Sequence, residues 1–178
     1  MTRLFLIRHA PALTGGRLAG RRDVPADCGD ASALARLAAV LPAGAVTWTS
    51  PALRCRQTVA ALGLAAAERQ ELWEQDFGEW EGMAHADLPD LGPLEGAALT
   101  AHRPPGGESF DDMTARVRPV LEHARGDTVI VAHAGTVRAA LSLVVGPAAL
   151  SFAVAPLSLT LIARAGAWWS VEFVNRLP

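Results

Sequence analysis

Leu4-Phe5-Leu6-Ile7 is the stretch that most constrains how this chain can fold. It is a short apolar run, LFLIRHA from Leu4 to Ala10, that breaks off at Arg8 and His9. A run of this length without alternation reads as a strand of a parallel sheet, buried on both faces. The same pattern returns at Val129 to Ala132, which ends in His133 and is followed by Ala134-Gly135-Thr136. In open α/β sheets, ligands gather beyond the carboxyl ends of the strands. Two strand ends that each carry a histidine therefore predict a shared site.

The 178 residues are enough for one domain, 1–178, with a sizeable core. A net charge of -2 gives no electrostatic basis for a nucleic-acid or anionic-membrane partner. All 16 basic residues are arginine, so any anion site must use arginine, histidine or backbone N–H. Cys28 and Cys55 form no metal-ligand spacing and suit a reducing compartment. No signal layout and no apolar stretch of the ~20 residues needed to span a bilayer is present. The expected location is cytoplasmic.

Taken in order, Pro11 to Pro25 is a Gly- and Pro-rich loop carrying Arg17, Arg21 and Arg22, suited to wall a pocket. Asp30 is placed to cap a helix from Ala31 to Leu41 that Pro42 ends. A second strand is predicted over Ala45 to Trp48. Ser50 as N-cap and Pro51 at the first position predict a helix running to Gly63, with Arg54 in its first turn. Arg54 then stands at a strand end, beside the positive end of a helix dipole. Arg56, two positions on, faces elsewhere.

The segment Glu71 to Gly82, ELWEQDFGEWEG, has five acidic residues among its twelve, interleaved with Trp73, Phe77 and Trp80. A carboxyl group held among aromatics is desolvated, which raises its pKa and suits it to act as a general acid. Glu74, Asp76, Glu79 and Glu81 all compete for that role on composition alone, and most should face solvent. Met83 to Pro105 predicts no firm element, and His85 and His102 read as surface residues. Ser109 and Asp112 form a capping-box pattern ahead of a helix from Phe110 through Arg125, weakened at Pro119. His123 reads as a surface residue near its end. A helix then runs from Ala134 to Gly146-Pro147. Leu157 to Arg164 and Ala167 to Asn175 predict a closing antiparallel hairpin around Ala165-Gly166.

Two histidines and two arginines at one sheet edge are what a tetrahedral dianion needs. Arginines clamp it, helix N-termini add N–H donors, and a neutral imidazole nitrogen can attack phosphorus. A nearby carboxylic acid can protonate the departing alkoxide. This chemistry asks for no metal or other cofactor, and metal-ligand spacings are missing from the chain.

The motifs IRHA, SPALRCRQT, LWEQDFGEWEG, PPGGESF and VAHAG together resemble the histidine phosphatase family, nearly end to end. The resemblance implies the phosphoglycerate mutase-like fold: a three-layer α/β/α arrangement, a mostly parallel central sheet and an antiparallel C-terminal hairpin. It implies that His9 is the nucleophile that becomes phosphohistidine, and that Arg8, Arg54 and His133 bind phosphate, with Ala134 beside them. It also implies that Glu74 is the proton donor and later the base that activates water. Within the family the chain is most similar to the alpha-ribazole phosphatases of cobalamin biosynthesis, through GRRDVP (Gly20 to Pro25), the EQDFGEWEG segment and PPGGESF. Gly20 and Arg21 are thereby implied in the substrate pocket. The chain departs from the family pattern at Ala10 and Ala134, where glycine is usual, and lacks the Thr-x-x-Asn that often follows the first motif.

The expected activity is hydrolysis of a small phosphorylated metabolite, with alpha-ribazole 5'-phosphate as a candidate. The alternatives are a phosphoglycerate mutase and a non-catalytic phospho-ligand-binding relative. Because His9 must be neutral to attack, activity should fall below its unperturbed pKa of ~6.5 unless the site shifts it. The aromatic and proline-rich middle could support a homodimer.

Overall fold

The computed structural model describes residues 1–178. Strand β1 spans Thr2–Arg8, β2 Val46–Thr49, β3 Ala67–Glu68, β4 Asp127–Ala132, β5 Leu159–Ala165 and β6 Trp168–Arg176. They form one sheet in the order β3-β2-β4-β1-β5-β6. β3, β2, β4 and β1 run parallel, while β5 and β6 are antiparallel. Helices α1 (Ala31–Ala39), α2 (Leu53–Ala61), α3 (Gly96–Ala101), α4 (Phe110–His123) and α5 (Ala134–Val145) complete the fold.

The unbroken apolar runs explain the layering. In β1, Leu4 and Leu6 join a core with Met113, Val117 and Leu121 of α4 and Val137 and Leu141 of α5. The alternate residues Phe5 and Ile7 join a second core with Leu34 and Leu37 of α1 and Cys55 and Val59 of α2. β4 divides in the same way, Ile130 to the first core and Val129 and Val131 to the second. Both faces of the central strands are covered by helices, which is why neither run alternates with polar residues. Each fully buried leucine or isoleucine contributes roughly 1.5–3 kcal/mol.

Asp30 caps α1 by accepting from Ala33 N at 2.9 Å. The Ser109–Asp112 capping box opens α4, which holds Pro119 in its interior and ends at His123. His123 is exposed and hydrogen-bonds through Nδ1 to the Pro119 carbonyl at 2.6 Å. Two expectations change. Ser50 does not cap α2; that helix begins at Leu53, whose N–H donates to Asp23 Oδ1 at 2.6 Å. The first helical N–H is thus met from the loop before α1, while Ser50 Oγ accepts from Ala52 N at 3.3 Å, one residue ahead of the helix. Met83 to Pro105 also contains a six-residue helix, α3, where no element was predicted.

Ala134–Ser151 is apolar and long enough by composition to cross a bilayer, at mean hydropathy 1.3 over 18 residues. Gly146, at φ 59° and ψ -143°, ends α5 after twelve residues. At 1.5 Å per residue those twelve reach only about 18 Å, short of the ~30 Å hydrocarbon core. α5 also buries Val137, Ala140 and Leu141 against the sheet. Both cysteines are free.

Candidate active site

Three neighbouring parallel strands end in line. Arg8 is in register with Ala132, and Thr49 with Val131. The next residues, His9, His133 and Ser50, therefore emerge side by side. The ladder extends through them, since His9 N donates to Ala132 O at 2.9 Å and Ser50 N to Val131 O at 3.1 Å. The rings of His9 and His133 lie 5.3 Å apart, edge to face at 69°.

Arg54, in the first turn of α2, joins them. It is 1% exposed, yet no carboxylate pairs with it directly. Its Nε donates to His9 Nε2 at 3.3 Å and its Nη2 to His133 Nδ1 at 3.2 Å. The loop carbonyls of Gly20 (2.7 Å) and Arg22 (3.0 Å) accept two more of its five N–H groups, leaving one on Nη1 free. The GRRDVP segment thus holds α2 and Arg54 in place, through two carbonyls and the Asp23 cap.

These partners fix the tautomers. A carbonyl can only accept, so His9 Nδ1 donates to Ala10 O at 2.7 Å. Its Nε2 is then the bare nitrogen that receives the Arg54 N–H. Guanidinium can only donate, so His133 Nδ1 is bare and Nε2 donates to Ser50 Oγ at 2.8 Å. Cys55 Sγ packs against the same ring, 3.6 Å from Nε2. The pKa of His9 is lowered to about 3, chiefly by burial and then by Arg54 and Arg8, against the opposing Ala10 hydrogen bond. His133 is pushed well below the usual histidine range, by burial first and then by Arg54. Both imidazoles are neutral at ordinary pH. The expected loss of activity below ~6.5 is therefore not set by His9, because the site shifts it.

A cavity of about 390 Å³ opens over His9 and is lined by Arg8, Arg54, Glu74 and Gly20. Arg8 Nη1 donates to Val154 O at 2.6 Å, while its Nε is buried and unpartnered. Burial lowers the Arg8 pKa, with Glu74 opposing and Arg138 and Arg54 adding to the shift. Glu74 Oε1 accepts from Gln75 N at 3.0 Å and Oε2 from Gly135 N at 3.4 Å. Burial raises its pKa against those hydrogen bonds and the nearby Arg54 and Arg8. Of the competing carboxylates, Glu74 alone lines the cavity. Glu81 instead accepts from Arg21 N and Phe77 N, and Asp76 from Gly78 N. Only Glu71 and Glu79 in the cluster are exposed, fewer than composition suggested.

His133 is fully buried behind His9 and Arg54 and does not itself line the cavity. Ala134 begins α5 beside it. Arg21 does not line the cavity either; its guanidinium lies 3.3 Å from Glu108 and 3.8 Å from Asp76. His102 is no free surface residue, because it stacks on Trp80 with ring centroids 5.6 Å apart. His85 is exposed but stands at the cavity mouth. Arg138 lines the cavity too and was not singled out from the sequence. The signal that could have found it is that it is the one charged residue in α5. No group of three or more His, Cys, Asp or Glu side chains gathers at metal-ligand spacing.

Known proteins resemble the chain in sequence and fold. The chain is 34% identical over 157 residues to the Bifunctional protein Rv2228c of Mycobacterium tuberculosis, covering 75% of this chain and 39% of that protein. It spans about two fifths of the length of the mycobacterial relatives it matches and about a fifth of the others. The crystal structure of phosphoglycerate mutase from Thermus thermophilus superposes with a TM-score of 0.77 at 30% identity, over 99% of both chains. The mycobacterial glucosyl-3-phosphoglycerate phosphatase Rv2419c gives a TM-score of 0.80 at 25% identity, over 98% of both chains. Residues 4–176 match the Histidine phosphatase superfamily (branch 1). With that match spanning both histidine-bearing strand ends, the chain belongs to the histidine phosphatase superfamily.

Proposed function

We propose that the protein is a phosphomonoester hydrolase that works through a phosphohistidine on His9. The observation that carries this reading is a neutral His9 lining the cavity beside Arg8 and Arg54, with its Nε2 unprotonated and held only by the Arg54 Nε–H that phosphate would draw away. In the first step Nε2 attacks phosphorus, and the bond to the leaving alcohol oxygen breaks. Glu74, whose burial raises its pKa and so favours the protonated form, gives that oxygen a proton. Arg54 and the unpartnered Nε of Arg8 take the phosphoryl oxygens. His133 backs Arg54 through its unprotonated Nδ1, and it can hydrogen-bond a phosphoryl oxygen itself only by taking up a proton there. In the second step ionised Glu74 takes a proton from water, which attacks the phosphohistidine and frees inorganic phosphate.

The substrate is a small phosphorylated metabolite, and alpha-ribazole 5'-phosphate is the candidate supported by the GRRDVP and PPGGESF segments. The likeness to a phosphoglycerate mutase supports a second reading, in which the phosphoryl group returns to an alcohol. One assay separates them. Phosphate release and phosphoglycerate interconversion are measured side by side on a panel that includes alpha-ribazole 5'-phosphate. Net release, acid-labile phosphate on the protein and complete loss of both in His9→Ala are expected. Turnover surviving in His9→Ala would overturn the reading.

A further inference from the structure

We infer that Arg116 and Glu108 form a clamp that sets the position of Glu74 and are positioning residues for its proton transfer, an inference that rests on reading Glu74 as the proton donor. The chain from Glu71 to Gln75 makes no strand, and only one 3₁₀ turn, Gln70–Leu72, touches it. Its carbonyls must find partners elsewhere. Arg116, on α4, supplies them. Its Nη1 donates to Glu71 O and to Trp73 O at 2.9 Å, and its Nη2 to Glu74 O at 3.0 Å. The same guanidinium pairs with Glu108 through Nε at 3.1 Å and through Nη2.

Glu108 grips the other side of Glu74. Its Oε1 accepts from Asp76 N at 3.1 Å, and its carbonyl accepts from Gln75 Nε2 at 2.8 Å. Glu108 N donates to Asp76 O at 2.8 Å, and Arg21 adds a second cation at 3.3 Å. The pair is sheltered, with side chains 22% (Arg116) and 14% (Glu108) exposed. Only a planar fork with five donors can serve three carbonyls and a carboxylate together; an ammonium group cannot.

The Glu74 carboxyl group itself is held by two backbone N–H groups and no side chain. Its place is therefore set by where the backbone runs. A shift of about 1 Å at a reacting group can lower a rate by about 10²-fold. The demand falls on one bond. As Nε2 of His9 bonds to phosphorus, the leaving oxygen needs the Glu74 proton only if that oxygen is basic.

Leaving-group dependence is the test. For the wild type, Arg116→Met, Arg116→Lys and Glu74→Gln, kcat/KM is measured with an alkyl phosphate and with 2,4-dinitrophenyl phosphate, and Tm is recorded. Arg118→Met, an exposed site on the same helix, is the charge-loss control. Both Arg116 variants are expected to lose about ten-fold or more on the alkyl ester and less than about two-fold on the dinitrophenyl ester, following Glu74→Gln. Equal loss on both esters, or no loss, in a folded Arg116 variant would overturn the clamp while Glu74→Gln still discriminates. If Glu74→Gln fails to discriminate, the proton-donor reading falls, and the clamp with it.

Discussion

Gly135 and Glu74 occupy the same small space: a Cβ built on Gly135 would lie 2.1 Å from Glu74 Oε1. The Gly135 N–H meanwhile donates to Glu74 Oε2. Glycine here gives the carboxyl group both its seat and one of its two hydrogen bonds. Met113 Sδ, 2.8 Å from the same point, closes the other side, so the group cannot slide past a methyl.

Gly135→Ala should therefore displace the Glu74 carboxyl group. Hydrolysis of an alkyl phosphate is expected to fall by about 10²-fold or more, the usual worth of a general acid. Hydrolysis of an activated aryl phosphate should change little. An alkyl phosphate rate that survives intact would show that Glu74 has another workable position.

The rate should have a basic limb set by Glu74. Its raised pKa keeps it protonated at pH values where an ordinary glutamate is ionised, and activity falls as pH rises through that raised value. His9, at about 3, adds no acid limb near neutrality. A profile of kcat/KM against pH, corrected for the dianionic fraction of substrate, checks both. Glu74→Gln should flatten the basic limb for alkyl substrates; a limb that persists unchanged would assign it to another group.

Stability should fall as pH drops below about 6.5. The folded-state pKa values of His9 and His133 are depressed, so the unfolded chain binds more protons as pH falls below ~6.5, for His9 down to about 3. His9 then costs about 1.4 kcal/mol per pH unit within that window, and His133 acts in the same direction. Glu74, with a raised pKa, acts in the opposite sense, its contribution being lost as pH rises. Thermal unfolding of the wild type and His9→Asn at pH 7 and pH 5 isolates His9, because Glu74 is common to both. The loss on acidification should be smaller in His9→Asn, and an equal loss would show that His9 does not titrate on unfolding.

Inorganic phosphate should raise Tm. Arg8 and Arg54 are packed together without a directly paired carboxylate, and an anion that binds only the folded state stabilises it by about 2.7 kcal/mol at 100 times its Kd. Arg54→Met should lose most of that shift. A shift of equal size in the variant would place phosphate elsewhere on the protein.

The histidines were legible before any coordinates because strand ends are written locally. An apolar run stops where the chain leaves the sheet, and His9 and His133 stand at two such stops. Arg54 was legible for a similar reason, since Pro51 and Gly63 bracket its helix. Glu74 was harder. Glu74, Asp76, Glu79 and Glu81 are chemically alike along the chain, and only family resemblance singled out the first. Arg21 was misplaced because a loop arginine carries no mark of its partner, and here that partner is Glu108, 87 residues away.

The sequence by itself determined the layered α/β fold, the parallel strands that end in histidine, and the class of chemistry those ends support. Apolar periodicity and capping are short-range effects, complete within a few residues. Tertiary structure alone decided that Asp23 rather than Ser50 caps α2, and that Ser50 Oγ instead accepts a hydrogen bond from His133 Nε2. It also decided that Glu74 is the carboxyl group that lines the cavity beside Gly135. Desolvation and hydrogen-bond choice depend on which distant groups arrive together, and that is fixed only when the layers pack.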